Sequence, residues 1–386
     1  MMIKDKLLEL YFHIPFCVKK CNYCDFLSAP STGEQQEAYM GALFRELEGR
    51  AGEYSDYTVT SVFVGGGTPS IVRAELIAEL MKLVKQYFML SADAEITIEV
   101  NPGTVDEEKL CIYRKAGINR ISIGLQSANS LELQKLGRIH SYEQFLDTYS
   151  WARKVGFNNV NVDVMSALPG QSMESYKDTL QKILTLEPMP EHISAYSLIV
   201  EEGTPFAQWE EEGILNLPEE DCERHMYEET KRILGESGFE RYEISNYARP
   251  GFVCRHNCGY WRRRDYVGFG IGAASLVRNK RFHNSENLQK YINSPLECRQ
   301  DMQELSLEEQ MEETMFLGLR MTKGVSMGGF QCIFGCSINE VYGKVIEKNV
   351  RDGLLEFVPF DGEKYLCLTE KGLDLSNYVM AQFLLE

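Results

Sequence analysis

Short apolar runs alternate along the first 236 residues with segments whose apolar positions recur every three or four places. The runs Leu7–Ile14, Val59–Val64, Glu95–Val100, Arg120–Leu125, Asn159–Met165 and Glu191–Ile199 read as strands. Between the first two, Tyr39, Met40, Leu43, Phe44 and Leu47 form one helical stripe; between the next two, Leu76, Ile77, Leu80, Met81, Val84, Tyr87 and Phe88 form another. Further helices are predicted near 106–116, 141–155, 173–186 and 219–236. Connections of this length join parallel strands, so the pattern predicts an α/β domain with helices on the outside.

Within the strands the polar residues keep to one parity, as in Ile96-Thr97-Ile98-Glu99-Val100, Ile121-Ser122-Ile123-Gly124-Leu125-Gln126 and Val160-Asn161-Val162-Asp163-Val164. A flat parallel sheet covered on both faces reads instead as continuous apolar runs. The parity predicts a curved sheet with one wet face, an incomplete (β/α)6 barrel with a polar lumen. A half-exposed antiparallel sheet would share the alternation, but not the helix-length connections.

Beyond Leu234-Gly235 the pattern changes, which sets expected domains at 1–236, 237–300 and 301–386. The middle region is a Gly- and aromatic-rich connector. The last is mostly helical: Ser306–Met321, capped by Ser306 with Glu309 three places on, then helices near 328–334 and 339–349, a hairpin of Leu354–Val358 with Lys364–Leu368, and a short helix from Thr369. That order is winged-helix-like. Residues 301–386 carry seven Lys and Arg against fifteen Asp and Glu, a net of −8, so nucleic acid is not expected as a partner. A lid or a partner surface beside the open barrel is the expected role.

Composition narrows the setting. The chain has 386 residues, 44% hydrophobic and 25% charged, with a formal charge of −17. No apolar run reaches the length of a membrane span, and Lys4, Asp5 and Lys6 stand where a signal peptide would be apolar. Eleven scattered cysteines suit a reducing compartment, and a cytoplasmic location is expected.

The chemistry concentrates where the first strand ends. Tyr11-Phe12-His13-Ile14-Pro15-Phe16-Cys17-Val18-Lys19-Lys20-Cys21-Asn22-Tyr23-Cys24 places three cysteines, C-x3-C-x2-C, on the loop leaving that strand. Three thiolates on a four-iron cube leave one iron open. Zinc sites and buried unliganded cysteines also use such spacings, although a closed zinc site would need His13 as its fourth ligand. The sequence resembles the radical SAM superfamily, and its Tyr-x-His-Ile-Pro-Phe-Cys prefix resembles the branch of oxygen-independent coproporphyrinogen dehydrogenases (HemN) and HemW. The resemblance implies a [4Fe–4S] cluster on Cys17, Cys21 and Cys24 and S-adenosylmethionine (SAM) as cofactors.

Gly65-Gly66-Gly67-Thr68-Pro69 follows the second strand and is similar to the GGGTP motif of that branch. By resemblance Gly66, Gly67 and Thr68 bind the amino and methionyl parts of SAM. Glu99, Gln126, Arg138 (in Leu136-Gly137-Arg138-Ile139-His140) and Asp163 contact its ribose and methionyl groups, and Tyr11 and Tyr23 line the pocket. Carboxylates, carboxamides and guanidinium suit those partners, and structural salt bridges are the alternative use.

In the middle region, Cys254-Arg255-His256-Asn257-Cys258-Gly259-Tyr260-Trp261-Arg262-Arg263-Arg264 gathers cations and rings in an otherwise acidic chain. Composition alone favours a solvated basic loop over an aromatic core. His256-Asn257-Cys258-Gly259-Tyr260-Trp261 resembles the HNxxYW motif of HemW-type proteins, which implies haem as cargo and His256 as a haem contact. The C-x3-C spacing of Cys254 with Cys258 is expected to be incidental, and Cys332 with Cys336 are expected to be packing residues. Dehydrogenases of the branch carry a further cysteine two places after the third, where this chain has Phe26. The resemblance therefore implies a haem chaperone delivering to haem-requiring respiratory proteins, with an electron donor for the cluster. The alternative is a coproporphyrinogen III dehydrogenase acting on a porphyrinogen; no catalytic residue is assigned.

Overall fold

The computed structural model describes residues 6–385; Lys4 and Asp5 lie outside them. All six expected strands are present: β1 Lys6–Ile14, β2 Tyr57–Gly66, β3 Met89–Val100, β4 Arg120–Gln126, β5 Val160–Ser166 and β6 His192–Ser197. Each pairs parallel with the next. Helices Gly33–Arg50, Ala74–Tyr87, Glu107–Ala116, Tyr142–Lys154 and Met173–Leu184 make the crossovers. Their starts are encoded locally: Thr32 and Ser141 cap through reciprocal boxes with Gln35 and Gln144, and Asp106 and Ser172 each accept an amide N–H three residues on. The apolar stripes, with Leu43, Leu47, Ile77 and Leu80 fully buried, pack on the outer face of the sheet.

The segment 237–300, expected as a connector, is built into both edges of the sheet. β7 Glu240–Arg241 and β8 Asn246–Ala248 add to β6, while β9 Asp265–Phe269 pairs parallel with β1 and leads to β10 Ala274–Val277, β11 Lys280–Asn284 and β12 Arg299–Glu304. The order is β12-β11-β10-β9-β1-β2-β3-β4-β5-β6-β8-β7, so the ends do not meet and the barrel is incomplete. Covering edge strands with these segments satisfies backbone groups that would otherwise invite foreign strands.

Much of the polar face of the sheet is covered. Thr97, Ser122, Asn161 and Arg120 are at most 5% exposed. The sheet curls so that this face looks inward, and the helix Arg255–Trp261 closes its lower end. His256 meets Ser61, Cys254 meets Glu95, and Tyr242 meets His192 there. Strand alternation reports which face is polar, but a covering segment more than a hundred residues away decides whether water reaches it.

Helices Leu307–Gly318, Met327–Phe334 and Ile338–Arg351 precede the hairpin β14 Leu355–Phe360 and β15 Glu363–Leu368, to which β13 Val325–Ser326 adds a third antiparallel strand. This is a winged-helix order around its own core, with Met315, Phe330, Ile346 and Leu366 buried. No helix among the described residues is long and apolar enough to cross a membrane.

Candidate cofactor site

Pro15 ends the β1 ladder, and Phe16–Cys17 then pairs with Ala29–Pro30, closing the cysteine loop into an arch. Cys17 is buried at the arch's base, whereas Cys21 and Cys24 are half-exposed on it; all three are free. They line a single pocket. Among the described residues no three His, Cys, Asp or Glu side chains converge on a single-ion geometry. Three thiols on one arch suit a cube, in which each thiolate would hold a different iron.

The glycine run brings β2 against this arch. A Cβ on Gly67 would lie 2.7 Å from the Phe16 carbonyl and 2.9 Å from Cys17 Sγ, and Gly66 has φ +118°. The amides of Gly67 and Thr68 donate to Ile14 O at 2.9 Å and Phe16 O at 2.7 Å. Gly66 N–H donates to Glu99 Oε2 at 3.1 Å. Only glycine lets the backbone approach so closely, which leaves a cradle of backbone and small side chains beside the thiols.

A polar chain then ties the glycine turn to the cysteines. Asn101 Nδ2 donates to Thr68 Oγ1 and Arg138 Nη2 donates to Asn101 Oδ1, both at 2.8 Å, while Arg138 Nη1 lies 3.8 Å from Cys21 Sγ. Asn101 was missed in the sequence, although it shares the parity of Glu99 and follows it by two. Gln126, with φ +67°, ends β4 in the left-handed region that a non-glycine residue adopts only under constraint, and its residue lines the pocket. Asp163 accepts from Asn161 Nδ2 at 2.7 Å and from Ser122 Oγ at 3.3 Å. Burial raises its carboxyl above the ordinary range, and those hydrogen bonds oppose the rise.

Glu99 is pushed up to about 8, first by burial and second by the neighbouring Asp163 charge, against the pull of the Gly66 N–H. The folded value exceeds the ordinary 4.5, so the stability this group contributes is present below that value and is lost as pH rises through about 8. A protonated carboxyl can still accept from a ribose hydroxyl, but the ionised carboxylate is the stronger acceptor. SAM affinity measured by anaerobic equilibrium dialysis is therefore expected to rise roughly tenfold between about pH 6.5 and about pH 8.5. Glu99→Gln should flatten that profile; an unchanged slope would remove Glu99 from the site.

Of the residues proposed from the sequence, Cys17, Cys21, Cys24, Tyr23, Gly66, Gly67, Thr68, Glu99, Gln126, Arg138 and Asp163 line this one pocket. Tyr11 does not. Its hydroxyl lies 3.0 Å from His13 Nδ1, and it lines a deeper cavity of about 230 Å³ in the lumen with Arg120, Asn161 and His256. Glu99 and Asp163 face both cavities. Arg120 also went unassigned in the sequence, although it begins the polar parity continued by Ser122, Gly124 and Gln126.

His256 stands on the lumen floor, 1% exposed, with Nδ1 2.8 Å from Ser61 Oγ and Nε2 2.9 Å from the Tyr260 hydroxyl. Burial, then the Arg120 charge, pushes it down to about 3, so the ring is neutral. Both nitrogens are engaged, and an iron reaching Nε2 would have to displace Tyr260. Cys254 and Cys258 are buried in the same floor, and burial pushes the Cys258 thiol up to about 11, which makes both poor thiolate donors.

Three thiols on one arch, a glycine cradle that a single Cβ would fill, and carboxylate, carboxamide and guanidinium groups facing it fit a cluster with SAM beside it. Comparison with known proteins agrees. The radical SAM superfamily profile matches residues 11–183, and that of the HemN C-terminal domain matches 305–375. The chain is 37% identical to the heme chaperone HemW of Lactococcus lactis, covering 97% of each, and 35% identical to that of Bacillus subtilis, covering 97% of this chain and 98% of that one. The solved structure of coproporphyrinogen III oxidase, HemN, from Escherichia coli superposes with a TM-score of 0.84 at 25% identity, over 98% of this chain and 90% of that one. With near-complete coverage of such relatives, the chain belongs to the HemW family of radical SAM proteins.

Proposed function

We propose that this protein is a haem chaperone: it binds haem and passes it to haem-requiring respiratory proteins. Cys17, Cys21 and Cys24 hold a [4Fe–4S] cluster, while Gly66, Gly67, Thr68, Glu99, Gln126, Arg138 and Asp163 form the SAM site, with Tyr23 in its wall and Tyr11 below it. A cluster held by these cysteines would supply, once reduced, the electron for radical chemistry on SAM, so an electron donor belongs to the partner set. His256 serves haem binding from below, by fixing through Ser61 and Tyr260 the helix that ends at Trp261. All eleven cysteines are free, which suits the reducing cytoplasm in which we place the protein.

The choice of carrier over dehydrogenase rests on Phe26. This residue is 60% exposed at the mouth of the cofactor pocket, at the position where dehydrogenases of the branch have a further cysteine. The likeness to the HemN structure favours the second reading, coproporphyrinogen III oxidation. One experiment separates them. Reconstituted protein with SAM, a low-potential reductant and coproporphyrinogen III under anaerobic conditions is expected to form no protoporphyrinogen, while haem titration gives a saturable Soret change. Product formation by protein with an intact cluster would overturn the carrier reading despite Phe26.

A further inference from the structure

The helix Arg255–Trp261 runs from the lumen floor out to the C-terminal domain, and its exit end stands in a cleft between the two cores. A cavity of about 370 Å³ lies there, with Trp261 and Arg262 on one wall and Met321, Lys323, Phe330 and Ile333 among the residues of the other. Trp261 also borders a second cavity of about 400 Å³ toward Met380 and Leu384. Its indole N–H is buried without a hydrogen-bond partner, and the Arg320 guanidinium lies 4.4 Å from the ring. Ile333 is 63% exposed at the rim, above buried Phe330. The cleft is open to solvent and mostly apolar in its lining.

Charge indicates what suits it. The chain carries −17 overall, yet this cleft presents Arg262 and Lys323, and among the described residues neither has a carboxylate within 4.0 Å. Lys323 rests over the Phe360 and Tyr365 rings, at 3.7 and 4.6 Å from their centroids. Glu363, whose charge acts on Lys323, is engaged by Ser326 Oγ and by the Gly329 amide. Two unpaired cations on the rim of an aromatic and aliphatic cleft complement a flat apolar molecule bearing two carboxylates.

We infer that this cleft is the haem-carrying site, with the tetrapyrrole against Trp261, Phe330 and Ile333 and its two propionates toward Arg262 and Lys323. The inference rests on the carrier reading and locates its cargo. No histidine lines either cavity; Met321, 6% exposed, is the one soft donor in the first. A cargo held mainly by its ring and propionates, without an imidazole–iron bond, is one that a recipient protein with a stronger axial ligand can take.

The test is haem titration of the full cluster-loaded chain, followed by Soret absorbance and quenching of tryptophan fluorescence, with circular dichroism to verify folding. Arg262→Glu and Lys323→Glu are each expected to weaken haem binding roughly three- to tenfold, and the double variant further. Lys82→Glu, on the outer helix Ala74–Tyr87, controls for net charge and should leave affinity unchanged. Haem dimethyl ester, which lacks the propionate charges, should bind the wild type and the double variant alike. If the wild type binds haem and the cleft variants bind it equally well, the cleft assignment is overturned while the carrier reading stands. A wild type that binds no haem overturns both.

Discussion

Cys21→Ala protein, reconstituted anaerobically with iron and sulfide, should retain less than about a tenth of the wild-type iron and lose the broad visible absorption of a cluster; Cys17→Ala and Cys24→Ala should behave alike. The expectation follows from position. The three thiols share one arch, held at its base by the pairing of Phe16–Cys17 with Ala29–Pro30, and they face one pocket. Removing a thiolate would leave a second iron of the cube without a protein ligand, so most of the iron should be lost. Far-UV circular dichroism should barely change for Cys21→Ala and Cys24→Ala, because both side chains are half-exposed on a loop. Cys254→Ala and Cys258→Ala should keep their iron, since those thiols belong to the lumen floor. Equal iron in a Cys21→Ala preparation and the wild type would remove the assignment.

The second large effect is structural and lies at that floor. An alanine at Gly259 would place its Cβ 1.6 Å from Glu9 Oε1 and 2.1 Å from the carboxyl carbon. Glu9 is fully buried in the middle of β1, so its carboxyl end, although flexible, would have to swing aside within a packed interior. Gly259→Ala is expected to cost about 1–3 kcal/mol, the usual range of overpacking effects, and to lower the melting temperature accordingly. Glu9→Ala in the same chain should return more than half of that loss, because it removes the atoms that clash. Thermal unfolding of the two single variants and the double variant completes the cycle; strict additivity would show that the close approach does not set the cost. The arrangement is tolerable because burial raises the Glu9 carboxyl to about 9, with Arg264 opposing, so the side chain is neutral at pH 7. Both its oxygens lack hydrogen-bond partners, which an ionised carboxylate at that depth could not sustain.

The residues that line the cofactor pocket were picked out in the sequence by the resemblance of their motifs, and they meet because they lie near strand ends. Cys17, Cys21 and Cys24 lie within eight residues, Gly66 to Thr68 within three, and Glu99, Gln126 and Asp163 each mark the polar parity of one strand. Parallel pairing in chain order then brings such ends together without further information. The Thr68–Asn101–Arg138 link was less visible: which polar side chains at neighbouring strand ends bond to one another depends on register and rotamer. Tyr11 shows the same limit, because its place three residues before the end of β1 indicates nearness to the pocket while its side chain lines the lumen cavity instead.

By itself the sequence determined the six parallel strands, the crossover helices with their caps and the shared parity of Glu99, Ser122 and Asp163, consequences of periodicity and backbone stereochemistry within short segments, while the roles of the cysteine loop and the glycine turn came from their resemblance to a family's motifs. Only the tertiary structure decided what covers the polar face and where the ends of the sheet go. Segment 237–300 joins both edges, and the helix carrying His256 turns under the lumen, so that this histidine is buried and bonded at both nitrogens while Trp261 and Arg262 emerge in the cleft. Those outcomes depend on contacts between residues more than a hundred positions apart, such as Ser61 with His256 and Glu95 with Cys254, and no local pattern of apolar and polar positions specifies which distant segments will meet.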